Sequence, residues 1–142
     1  MRSNRENELA ILTMIKIDAD ALFERVVQRE KEYMRIFSVK RTREHFHEVF
    51  KTRFWDIHPT DLKVCSPEVL IQLDAFYSKA DKLYWYLRST EDMPGMIEDK
   101  IAPKVRSIKD AYEMLKLYLD AQFSSTDEAG DPPTNLDLVI GE

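Results

Sequence analysis

Between Ser66 and Ser89 the apolar residues Val69, Leu73, Phe76, Ala80, Leu83 and Leu87 recur in alternating steps of four and three. That spacing puts six side chains on one stripe of an α-helix. A strand would instead alternate its faces at every second residue. Such a stripe needs other helices to cover it, as in the seam of a helical bundle. The segment also carries the best helix start in the chain. Ser66 can cap, Pro67 suits the first helical position, and Glu68 suits the positive end of the helix dipole. Leu70, Tyr77 and Tyr84 flank the seam at intervals of seven.

The same period runs through the rest of the body. Leu12, Ile15, Ala19, Leu22, Val26, Tyr33 and Phe37 predict a long first helix from about Glu6 to Phe37. Ile11, Met14, Ile17, Phe23, Val27 and Met34 widen its stripe to more than one face. A joint is expected at Ser38-Val39. A second helix is expected from Arg41 to Ile57, with Phe46, Val49, Phe50 and Phe54 inward, ended by His58-Pro59. A last helix runs from Pro94 to Phe123 through Ile97, Ile101, Ile108, Leu115 and Leu119. Pro103 inside it is expected to kink or divide it. The chain has three glycines, too few for the turns of a β-rich protein. The expectation is therefore an all-α, up-down four-helix bundle with a long N-terminal helix and a disordered acidic C-terminal tail. Residues 1–123 form the bundle domain and 124–142 the flexible tail.

Length and charge narrow the function classes. A chain of 142 residues makes one domain with a proper core. Its single cysteine, Cys65, excludes a disulfide or a Cys-based zinc site within one chain. Although it precedes a helix start, where the dipole lowers a thiol pKa, it has no evident His partner and reads as inert. The charged start leads straight into an amphipathic pattern, and no apolar run reaches the roughly 20 residues that span a bilayer. A soluble cytoplasmic protein with no membrane contact is expected. The net charge is −5, and the tail carries all of it: Asp127, Glu128, Asp131, Asp137 and Glu142 lie beyond Ser124 without a single Lys or Arg.

Glu44-His45-Phe46-His47 contains one Glu-x-x-His, a ligand spacing of di-iron bundles. Those sites need a second such motif and further carboxylates, so no metal and no cofactor is expected. With Phe46 inward, His45 and His47 are expected to face solvent. Arg53-Phe54-Trp55-Asp56-Ile57-His58 resembles the short Arg-x4-His signature of the HEPN family of helical-bundle ribonucleases. The resemblance covers six residues. It implies a dimeric, metal-independent ribonuclease in which Arg53 binds the scissile phosphate and His58 moves protons. Phe54 departs from the family, which has a small polar residue there.

From Arg25 to Arg53, nine basic residues face Glu30, Glu32, Glu44 and Glu48. The interleaved glutamates disfavour nucleic acid and suit a solvated, ion-paired helix face. Tyr84-Trp85-Tyr86 is the densest aromatic stretch. With Leu83 and Leu87 in the seam, Trp85 and Tyr86 point partly elsewhere, as interface anchors do. In the tail, Leu136, Leu138, Val139 and Ile140 form a tethered apolar patch suited to a partner's groove or sheet edge.

The chain lacks a glycine-rich phosphate loop, a nucleophile elbow and the convergent polar groups of an active site. The sequence therefore favours a non-catalytic adaptor or regulatory protein that binds another protein and self-associates, as a homodimer, through its first helix. The candidate contacts are Trp85, Tyr86, Lys40, Arg41, Arg43 and the tail patch. The alternatives are the ribonuclease using Arg53 and His58, and a bundle sensing a small ligand near Tyr77 and Tyr84.

Overall fold

The computed structural model describes residues 4–130, with side chains as far as residue 125. Every regular element among them is helical. The first, α1 (Asn4–Phe23), passes into a single π-helical turn at Glu24–Gln28 and resumes as α2 (Glu30–Lys40). A short α3 (Phe46–Val49) follows, then one-turn 3-10 helices at Phe54–Asp56 and Asp61–Val64. The chain closes with two long helices, α4 (Pro67–Ser89) and α5 (Pro94–Gly130). No helix among the described residues is long and apolar enough to cross a membrane.

The six seam residues of α4 are all buried, as their spacing requires. Ser66 caps the helix, its hydroxyl accepting from the Val69 N–H at 3.2 Å, with Pro67 in the first turn. α5 returns antiparallel to α4 and supplies Ile97, Ile101, Val105, Ile108, Ala111, Leu115 and Leu119 to the same core. It runs antiparallel to α1 as well. Tyr112 donates to Asp20 at 2.6 Å, Lys16 lies 4.0 Å from Asp120, and Gln122 donates to Glu8 at 3.3 Å. Burying side chains of this size contributes roughly 1.5–3 kcal/mol each, so this core is the main source of stability.

Three expectations need correction. The first helix is not uniform. In the π turn the Arg29 N–H reaches back to the Glu24 carbonyl at 3.0 Å, and the ladder resets at Arg29. Buried Tyr33 spans the reset, its hydroxyl donating to the Val26 carbonyl at 2.7 Å. The second helix, expected over 41–57, exists only as the four residues of α3 and the 3-10 turn at Phe54–Asp56. Arg41 takes a left-handed conformation (φ 56°), which ends α2 in the manner usually left to glycine. Finally, α5 is not divided at Pro103 and continues past Phe123 to Gly130. Pro103 and Asp99, the residue whose carbonyl loses its usual N–H partner, are both exposed, so water can satisfy that carbonyl.

Residues 41–66 are mostly irregular, and side chains tie them to the helices in both directions. Arg43 donates to the Leu87 carbonyl of α4, and its guanidinium lies 4.9 Å from the Phe37 ring centre. His45 Nε2 lies 2.9 Å from the Tyr33 carbonyl. Arg25 donates to the carbonyls of Val49 and Lys51. Asp18 accepts from the Arg53 N–H at 2.9 Å and from the Thr52 hydroxyl. Gln122 donates to the Val64 carbonyl at 2.7 Å and accepts from the Ser66 N–H at 2.9 Å. These links step from α2 back along α1, so the irregular segment runs antiparallel to it. Phe46, Phe50 and Phe54 remain buried.

Candidate functional site

A large open cavity follows from that irregularity. A helix laid beside α1 would cover a whole face, whereas the segment 51–61 covers only its edge. A groove of about 820 Å³ remains between them. One wall is the α1 face carrying Ile11, Met14, Ile17, Asp18 and Ala21. The other is the chain from Lys51 to Asp61. Met14 is 55% exposed and Ile17 65%, so the extra apolar residues of the first helix are in part unburied here. Here these exposed apolar residues are grouped in one concave surface rather than scattered singly.

Asp18 organises this site. Besides Thr52 and Arg53 it accepts from the Tyr77 hydroxyl at 2.7 Å. Burial, followed by the hydrogen bond to the Asp18 carboxylate, pushes the Tyr77 hydroxyl far above the ordinary phenol range, so it stays a donor. Tyr77 also stacks on Phe54, with ring centres 4.0 Å apart. One carboxylate thus ties α1, α4 and the groove's outer wall together. The sequence reading missed Asp18. Its signal was an acid placed three residues after Ile15 and four before Leu22, on the buried stripe of α1.

Arg53 and His58 both line the groove. The Arg53 side chain is exposed, and no described residue pairs with it. His58 Nδ1 accepts from the Thr60 N–H at 3.1 Å, capping the turn that leads to Asp61–Val64. Tyr77 and Tyr84 both pack on rings of the irregular segment. Tyr77 stacks on Phe54, and Tyr84 on Phe50 at 5.2 Å.

The other candidates fall elsewhere. Trp85 is 58% exposed on α4, with the Arg88 guanidinium 5.4 Å from its ring centre. Tyr86 is half-buried and engaged internally. Its hydroxyl donates to Asp92 at 2.9 Å, Lys100 donates to the same carboxylate at 2.7 Å, and Lys104 lies over the ring. Lys40 and Arg41 are exposed at the end of α2, whereas half-buried Arg43 is spent on Leu87 and Phe37. Leu136, Leu138, Val139 and Ile140 lie outside the described residues.

His47 is exposed as expected, but His45 is not. It packs on Phe46 with ring centres 4.3 Å apart, and its Nδ1 is buried without a hydrogen-bond partner among the described residues. The short α3 turns His45 back toward α2, which a continuous helix would not have done. Burial pushes the Cys65 thiol up to about 11, and Glu8 adds to the shift, so environment outweighs the neighbouring helix start. Among the described residues no group of three or more His, Cys, Asp or Glu converges on a metal-sized site.

No protein-family model, no curated protein and no solved structure matches the chain.

Proposed function

We propose that this chain is a non-catalytic adaptor or regulatory protein that binds a protein partner across the groove between α1 and residues 51–61, and that it also self-associates. The observation that carries the reading is the grouping of exposed Met14 and Ile17 with unengaged charges in one concave surface. An apolar centre with a polar rim is the anatomy of a protein interface. The up-down bundle arrangement belongs to the same proposal. In it, residues 41–66 take the course of the second helix without its regularity, and the missing helix surface becomes the docking site. A soluble, cytoplasmic location is part of the reading too.

The test is affinity purification of the tagged full chain from its own host, compared with an Ile17→Glu variant. A partner recovered with the unmodified chain and lost with Ile17→Glu supports the reading. Recovery that is indifferent both to Ile17→Glu and to Arg53→Glu contradicts it.

One observation favours a second reading: Arg53 and His58 line the same groove. A metal-independent ribonuclease predicts RNA cleavage by the chain that disappears in His58→Ala with the fold intact. RNA left equally untouched by both chains ends that alternative.

A further inference from the structure

We infer that the groove's occupant is a second copy of this chain, docked antiparallel about a two-fold axis so that α1 of each copy lies along the groove of the other. The inference rests on the reading of this groove as a protein-docking surface and names its partner.

Charges follow a defined order along the groove. The hydrogen bonds already described fix that order. Arg25 holds Lys51 at the α1 C-terminal end, and Asp18 holds Arg53 near the middle. Gln122 joins Val64 to Glu8, which brings the turn at Asp61–Val64 to the α1 N-terminal end. Arg25 and Lys51 therefore occupy one half, with Arg53 at its inner edge beside the hydrogen-bonded Asp18, and Asp56, His58 and Asp61 the other. Met14 and Ile17 lie between them on α1. From Ile11 to Arg25 the α1 wall is about 21 Å long, at roughly 1.5 Å per residue.

A surface with a basic half, an apolar middle and an acidic half complements itself under a two-fold rotation. An isologous contact places the same patch of both copies face to face and reverses one of them. The basic half of each copy then meets the acidic half of the other, and the apolar middles meet each other. A parallel docking would set like charge against like, which is costly at an interface. No described residue pairs with the side chains of Lys51, Arg53, Asp56 or Asp61, so they can serve this contact without loss to the fold.

The experiment measures the solution mass of the full chain and of two charge-reversed forms. One carries Lys51→Glu with Arg53→Glu, the other Asp56→Lys with Asp61→Lys. The unmodified chain is expected to be a dimer. Each reversed form alone is expected to be a monomer with an unchanged melting temperature. Mixed in equal amounts, the two are expected to form a heterodimer, because both contacts are again complementary. On the unmodified chain, added salt is expected to weaken the dimer, since it screens exposed charges. This arm needs no variant to fold.

A monomeric unmodified chain overturns the inference but leaves groove-dependent capture of a different partner, tested above, as a separate result. A dimer that withstands Ile17→Glu and both reversals overturns it as well, since association then uses another face. Reversed forms that stay monomeric on mixing, or a dimer that salt does not weaken, overturn the antiparallel pairing.

Discussion

Two of the surfaces with exposed apolar residues differ in what surrounds them: the end of α4 around Trp85, and the groove along α1 around Ile17. Their exposures are similar, 58% and 65%, but the polar groups around them behave differently. Around Trp85 those groups are spent on the fold. Tyr86 and Lys100 converge on Asp92, Arg43 reaches the Leu87 carbonyl, and Arg88 covers the rings of Tyr84 and Trp85. Around Ile17, Asp18 and Arg25 are engaged within the fold, while the side chains of Lys51, Arg53, Asp56 and Asp61 find no partner among the described residues. The first surface is a joint between helices, and the second is an unfilled place. Exposure alone does not separate them; the engagement of the neighbouring polar atoms does.

The comparison breaks most readily at Asp18. Asp18→Ala removes the acceptor of three donors, one of them the buried Tyr77 hydroxyl, and is expected to cost about 3 kcal/mol in a urea titration. A loss below about 1 kcal/mol would show that packing alone holds the groove's outer wall. Arg43→Ala is expected to cost about 1–2 kcal/mol through the lost carbonyl bond and ring contact. Arg43→Lys should recover only part of it, since an ammonium lacks the planar fork. Full recovery would mean that charge alone matters at this joint.

Smaller effects sharpen the contrast. The hydrogen bonds from Lys100, then from Tyr86, hold the Asp92 carboxyl below its ordinary value. A carboxyl with a depressed folded pKa adds stability above its unfolded pKa and loses it as pH falls through the folded value. An NMR titration should place Asp92 below the usual aspartate range and closer to it in Tyr86→Phe. An identical titration in the two proteins would show that Tyr86 is not engaged there. Least of all, Trp85→Ala should change stability by no more than about 0.5 kcal/mol, as for a surface residue. A larger loss would show that Trp85 belongs to the joint.

The α4 seam was legible because its partner surfaces run the length of the helix, so burial repeats with the helical period. Ser66 was legible because capping is local. On α1, the excess of apolar residues was visible, but not which of them a neighbour would cover. Ile11 and Leu12 are buried while Met14 and Ile17 are not. The breakdown of the second helix was not legible. Phe46, Phe50 and Phe54 keep a four-residue spacing, and what replaces the helical hydrogen bonds comes from Arg25 and Asp18, distant in sequence. The internal bonds of Arg43 and Tyr86 were not legible for the same reason, since their partners Leu87 and Asp92 lie across a fold that composition does not describe. Arg53 and His58 were singled out by a motif. That they share a groove with Ile17 was visible only in three dimensions.

The most direct test of the account compares the solution masses of Ile17→Glu and Trp85→Ala with that of the unmodified chain. The account predicts a dimer for the unmodified chain and for Trp85→Ala, and a folded monomer for Ile17→Glu. A dimer that survives Ile17→Glu but dissociates in Trp85→Ala would reverse the two surfaces and contradict it.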